Sequence, residues 1–110
     1  MFDLEPTEEQ QLMVQTAREL AKNEMDPKAH DADEAATLPT DFLKRPWEPG
    51  LACAAIPEQW SGAGMERSAV TGSLILEELG WGDLAMALAM LAPASVAYPV
   101  LDFGTDAQKE

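Results

Sequence analysis

The sequence predicts an all-α fold, an up-and-down-like bundle of four to five helices. Three observations predict it. A capped helical run opens near the N-terminus at Thr7, and a run from about residue 67 to Leu79 is amphipathic. A third run, Leu84 to Ala92, is apolar on every side. At 110 residues the chain is one domain. A chain of this size buries roughly two-thirds of the surface its unfolded form exposes, enough for a modest core.

The first helix starts at Thr7, with Gln10 completing a capping box. Glu8 and Glu9 place negative charge at the positive end of the helix dipole. Met13, Ala17, Leu20, Ala21 and Glu24 follow helical spacing, while Arg18, Glu19, Lys22 and Asn23 lie towards water. Pro27 stops this helix near Asn23 to Met25. Residues 26–36 are charged and read as a solvated, irregular connection. Leu38 to Leu43 signals a short second helix, capped by Thr40 or Asp41 and ended by Pro46 near Lys44 or Arg45. Glu48-Pro49-Gly50 is a turn, and Leu51 opens an apolar run in which Cys53 reads as a small buried hydrophobe.

The run Pro57-Glu58-Gln59-Trp60-Ser61-Gly62-Ala63-Gly64 is a chain reversal under an aromatic side chain. Its two glycines suit turn geometry with positive φ. The dinucleotide spacing G-x-G-x-x-G is not met, so the turn is not read as a phosphate loop. A third helix runs from Arg67 or Ser68 to Leu79, with Val70, Leu74 and Ile75 as one apolar stripe widened by Leu76 and Leu79. Glu77 and Glu78 point about 100° apart and read as a solvated helix end rather than a catalytic pair. Gly80 suits the C-terminal cap. Trp81-Gly82-Asp83 is the next turn, and Asp83 caps the fourth helix, expected to be buried. Pro93 ends or kinks it. A fifth helix runs from Ala94 or Ser95 to Phe103, with Gly104 as its cap, and Thr105 opens a further helical turn.

Charge and composition narrow the function. The net charge of −13 disfavours nucleic acid and anionic membrane surfaces as partners. A single cysteine, Cys53, forms no internal disulfide, and with His30 as the one histidine no metal-ligand cluster of zinc-site spacing exists. No signal peptide follows Met1, and no apolar run is expected to reach the roughly 18 residues that span a bilayer; the longest, Leu84 to Val100, contains Pro93 and Pro99 and reads as buried helix. A bacterial-type cytoplasm is the expected compartment; a processed organellar chain stays open.

Four stretches together resemble the N-terminal helical domain of the acyl-CoA dehydrogenase family. They are the cap Thr7-Glu8-Glu9-Gln10, the turn Pro57 to Gly64, the Glu77-Glu78-Leu79 helix end, and Gly104-Thr105 followed by Gln108-Lys109. Ser61 stands where the family usually has its first glycine, and the interval from the turn to Glu77 is slightly longer than in commoner members. The resemblance implies a much longer, FAD-dependent enzyme that oxidises an acyl-CoA thioester to its α,β-unsaturated product. In the family a glutamate takes the α-proton while the β-hydride goes to flavin N5. The resemblance places that glutamate, the flavin and most CoA contacts in a middle domain and a C-terminal helical domain that residues 1–110 do not include. No catalytic, cofactor-binding or metal residue is therefore assigned here, and the chain alone should be inactive.

The resemblance does place Ala87, Leu88, Leu91 and Ser95 on the wall of the acyl end of the substrate cavity. Their spacing of i, i+1, i+4 and i+8 suits one helix face. Implied partners are the remaining domains of the same enzyme, an acyl-CoA, further copies or other subunits in an oligomer, and an electron-transfer flavoprotein. The acyl group and the choice between dehydrogenase and oxidase stay open. A second reading treats the chain as a small acidic helical protein-interaction module, with the fourth helix as its partner-binding face.

Overall fold

A computed structural model describes residues 5–39, 42–43, 51–52 and 54–110. Every regular element among the described residues is helical. In chain order they are α1 (Glu8–Leu20), a π-helical turn (Ala21–Met25), α2 (Asp26–Ala35), a 3₁₀ turn (Glu58–Trp60), α3 (Ala69–Gly82), α4 (Leu84–Leu91), α5 (Ala94–Phe103) and α6 (Asp106–Lys109). The expected all-helical class is therefore what the chain adopts. Contacts group the chain into two units: one of residues up to Leu38 with Ser68–Ala87, the other of Pro39–Arg67 with Leu88–Glu110.

In the first unit, α1 begins as expected. The Thr7 hydroxyl accepts from the Gln10 N–H at 3.2 Å, and the Gln10 side chain accepts from the Thr7 N–H at 2.9 Å. The Gln10 amide also donates to the Thr71 hydroxyl at 3.0 Å, so the capping residue ties α1 to α3. α3 opens at Ser68, whose hydroxyl accepts from the Thr71 N–H at 3.3 Å. α1 packs chiefly on α3. Ala17 and Ala21 are fully buried, as is Leu79, and Ile75 is nearly so. Small residues on α1 let the bulkier chains of α3 close onto its backbone. Each of the covered large side chains, Met25, Leu79 and Met86, stabilises the fold by about 1.5–3 kcal/mol.

Residues 26–36 depart from the sequence reading. They are not an irregular connection: the first helix passes through a π turn into α2, which ends at Ala36 in the left-handed conformation (φ 51°). The Asp26 N–H reaches back five residues to the Ala21 carbonyl. That wider turn sits just before Pro27, whose ring would clash with the carbonyl four residues back in an unbroken α-helix. An ion pair one turn apart, Glu24 with Lys28 at 3.6 Å, lies along the same stretch, and His30 Nε2 stands 3.6 Å from the Glu34 carboxylate.

The end of α3 differs too. The helix runs on through Gly80 to Gly82, so Gly80 is interior rather than a cap. Asp83 ends it in extended backbone and caps α4, its carboxylate accepting from the Met86 N–H at 2.7 Å. The Asp83 N–H still donates to the Leu79 carbonyl at 3.2 Å, so one residue serves both helices.

In the second unit, most of the expected short helix at 38–45, the turn at 48–50 and Cys53 lie outside the described residues. Phe42 and Leu43 form a short 3₁₀ stretch; Phe42 is fully buried and its N–H donates to Pro39 at 3.1 Å. Leu51 and Ala52 are buried, as an apolar run should be. Arg67 clamps Asp102 of α5 through one guanidinium nitrogen at 2.7 and 2.9 Å and lies 5.1 Å over the Tyr98 ring. α5 spans Ala94–Phe103 as read, with Pro99 inside it and Gly104 at its end. The Gln108 side chain accepts from the Thr105 N–H at 2.9 Å at the start of α6.

Among the described residues two carry a left-handed backbone without being glycine: Ala36 and Ser61. That conformation costs an L-residue on the order of 1–2 kcal/mol, partly offset in glycine by chain entropy. Ala36→Gly and Ser61→Gly should each raise stability by about 0.5–1 kcal/mol in urea unfolding. Gly62→Ala should do the opposite. An added Cβ there would stand 1.9 Å from the Ile56 carbonyl oxygen, and the turn must open to admit it.

Candidate functional site

α4 is the element nearest to a functional surface. Its residues divide by the 100° step of the helix. Met86, Ala87 and Met90 fall on one side and are buried. Leu84 and Leu88 fall on the other, at 59% and 55% exposure. Leu91 lies on the same outward stripe by spacing and is half-buried. Of the four residues expected on the acyl wall, Leu88 and Leu91 thus share a stripe. Ala87 sits with the buried set. Ser95 is exposed at the start of α5, and its hydroxyl donates to the Ala92 carbonyl at 2.6 Å.

The expectation that the fourth helix is buried holds for one side only. The run Leu84–Phe103 has mean hydropathy 1.8, yet 17% of its most apolar window is buried. By length and composition alone it is apolar enough to cross a membrane. Pro93 separates its two helices, and Val96 and Phe103 of α5 are exposed at 65% and 88%. The pattern of an apolar helix says that it wants covering; it does not say by which residues.

The turn after Pro57 offers no cradle for a phosphate. Its amides point inward: Trp60 and Gly62 donate to the Pro57 carbonyl at 2.9 and 3.2 Å, Ser61 to Glu58 at 3.0 Å, and Gly64 to Ile56 at 2.9 Å. Positive φ falls on Ser61 (66°) and Gly64 (67°), not on Gly62. Gly62 is needed for the close approach of the Ile56 backbone. A small apolar hollow of about 140 Å³ lies beside this turn, lined by Ile56, Trp60, Ala97, Val100, Leu101 and Lys109. In the first unit a groove of about 540 Å³ runs along the alanines of α2, with Asp33 and Asp83 at its edges. Among the described residues no group of three or more His, Cys, Asp and Glu side chains is placed to hold a metal.

Among the described residues both arginines are committed to carboxylates. Arg67 serves Asp102. Arg18, read from sequence as a solvated residue, holds Glu78 through two nitrogens, one bond being 2.9 Å from Nε. Glu78 is therefore not a free helix end: it ties α3 to α1. The pairing spans 60 residues and leaves no local signature in the sequence. The hydrogen bond from Arg18, helped by its charge and opposed by slight burial, holds the Glu78 carboxyl below its ordinary 4.5. Arg18 and Arg67, spent in this way, offer no free charge to a phosphate group.

The lowered Glu78 value fixes a sign. A carboxyl depressed on folding stabilises above its unfolded pKa, and that stability fades as pH falls through the folded one. Glu78→Gln should lower the melting temperature at pH 7, and the difference from wild type should begin to narrow only as pH falls below about 4.5, the ordinary value. A gap that does not narrow at all as pH falls below that value would contradict this.

With this geometry in hand, comparison with known proteins is informative. Residues 7–110 match the family described as acyl-CoA dehydrogenase, N-terminal domain. The chain is 34% identical over 108 residues to the short-chain specific acyl-CoA dehydrogenase of rat mitochondria, covering 97% of this chain and 26% of that protein. It is 31% identical over 110 residues to a probable acyl-CoA dehydrogenase of Bacillus subtilis, covering 99% and 28%. It is also 33% identical over 106 residues to cyclohex-1-ene-1-carbonyl-CoA dehydrogenase of Syntrophus aciditrophicus, covering 96% and 25%. A chain in the structure reported for the electron transferring flavoprotein of Acidaminococcus fermentans superimposes with a TM-score of 0.87 at 28% identity, over 98% of this chain and 28% of that one. The chain spans about a quarter of the length of the curated relatives it matches.

Proposed function

Because the chain belongs to the acyl-CoA dehydrogenase family, matching its N-terminal domain, we propose that it serves a flavoenzyme that dehydrogenates an acyl-CoA thioester across its α,β bond. In this reading α4 and the start of α5 wall the acyl end of the substrate cavity. Leu88 and Leu91 present the wall, Ser95 marks its end, and Ala87 shapes it from beneath. The observation that carries the reading is the outward stripe of Leu84, Leu88 and Leu91 within an apolar run that is mostly unburied.

An acyl chain suits such a stripe because each buried CH₂ contributes about 0.8 kcal/mol without needing a polar partner. The catalytic base, FAD and the CoA nucleotide belong, in this reading, to the flavin-binding and C-terminal domains. No step of the chemistry is assigned to residues of this chain, and it should be inactive by itself. The acidic surface and paired arginines support that division, since CoA phosphates require free cations. Further subunits and an electron-transfer flavoprotein are the proposed partners, the latter in keeping with the structural relative. A bacterial-type cytoplasm is the proposed compartment; the relatives include both a bacterial and a mitochondrial enzyme.

The test is made in the enzyme that carries this domain. Leu88→Phe and Leu91→Phe should each shorten the preferred acyl chain. Loss of two methylenes' worth of room should lower kcat/KM for the longest substrates by about tenfold, with short substrates little changed. An unaltered length profile in kcat/KM for both variants would remove the wall reading.

A further inference from the structure

We infer that Gly82 is a positioning residue for the acyl wall: lacking a side chain, it lets the end of α3 settle into the π turn and so sets where α4 begins. The inference rests on the wall reading above. Gly82 is buried, and a Cβ built on it would stand 3.0 Å from the Ala21 Cβ, the Ala21 carbonyl oxygen and the Met25 Cβ. Carbon atoms pack best at about 3.5–4.0 Å, so all three neighbours would have to give. They are poorly placed to do so. Ala21 and Met25 are the two ends of the π turn, and both are fully buried. The Ala21 carbonyl is also held by the Asp26 N–H. The wide turn between α1 and α2 and the bare backbone of Gly82 are thus two halves of one fitted contact.

A displacement at Gly82 has nowhere to be absorbed. The next residue, Asp83, donates its N–H to Leu79 in α3 and accepts the Met86 N–H of α4. No loop of spare length separates the helices. Met86 and Ala87, in the first turn of α4, are fully buried. Leu88 and Leu91 ride on the same eight-residue helix, so they move with its start. Gly80 provides the contrast. A Cβ there would meet nothing closer than a Leu84 methyl at 3.8 Å, an ordinary contact.

The experiment compares Gly82→Ala, Gly80→Ala and Leu88→Phe in the flavoenzyme that carries this domain, measuring kcat and KM over a series of acyl-CoA lengths together with melting temperature and bound flavin. Gly82→Ala should change the ratio of kcat/KM between long and short substrates by about threefold or more, mainly through KM, because a misplaced wall is felt as binding. Bound flavin should be unchanged. Gly80→Ala should leave the length profile as it is. Adding Ala21→Gly to Gly82→Ala should return the profile part of the way, since it removes one of the three opposing atoms. A merely structural glycine would lower the melting temperature and leave the profile unmoved; that result overturns the inference. If Leu88→Phe moves the profile and Gly82→Ala does not, the positioning role falls and the wall stands. If Leu88→Phe has no effect either, both fall. Should Gly82→Ala fail to fold, Ala21→Ser crowds the same contact from the π turn and is judged by the same two outcomes.

Discussion

The run from Leu84 to Phe103 constrains everything else in this chain. It is apolar enough to want burial and receives it on one side only. Covering a leucine fully is worth about 1.5–3 kcal/mol, so the open stripe of α4 is a reservoir of unspent stabilisation. Isolated exposed leucines are ordinary on protein surfaces. Here Leu84 and Leu88 stand one turn apart on a single helix, with Val96 and Phe103 following on the next. The local structure serves to hold this run in place. Asp83 starts it, Gly104 ends it, and the Arg67–Asp102 clamp grips α5 near its C-terminal end.

Electrostatics and apolar surface divide the labour. The chain carries twenty acidic and seven basic side chains, and arginines at two of its structural joints are bound to carboxylates. What such a domain can offer a substrate is shape and dryness rather than charge. That agrees with the proposed division of labour, and with a chain that spans about a quarter of its relatives.

Local signals were legible in the sequence. The caps at Thr7, Asp83 and Thr105 and the end at Gly104 lie where their residue types place them, because each is settled within a few residues. Tertiary effects were not. Pro27 reads as a helix stop, yet a π turn ahead of it lets the helix continue, and nothing in the local composition announces a wider turn. Gly80 and Gly82 look alike in sequence; only the buried face against Ala21 tells the cap-like glycine from the one that must be bare. Arg18 and Glu78 read as solvated because their pairing depends on α1 meeting α3. The turn at Pro57 to Gly64 was legible as a reversal, but its first left-handed residue is Ser61, the position where the family usually keeps glycine. On the candidate wall, spacing joined Ala87 to Leu88 and Leu91, while burial separates it from them.

The central claim is that the outward faces of α4 and α5 are open apolar surface awaiting cover from other protein or from an acyl chain. The most direct measurement is fluorescence of a dye that reports exposed apolar surface, titrated with the isolated 110-residue chain while far-UV circular dichroism confirms that it is helical. The account predicts strong dye binding that drops when Leu88, Val96 and Phe103 are together replaced by serine with helicity retained. A helical chain that leaves the dye dark would contradict it.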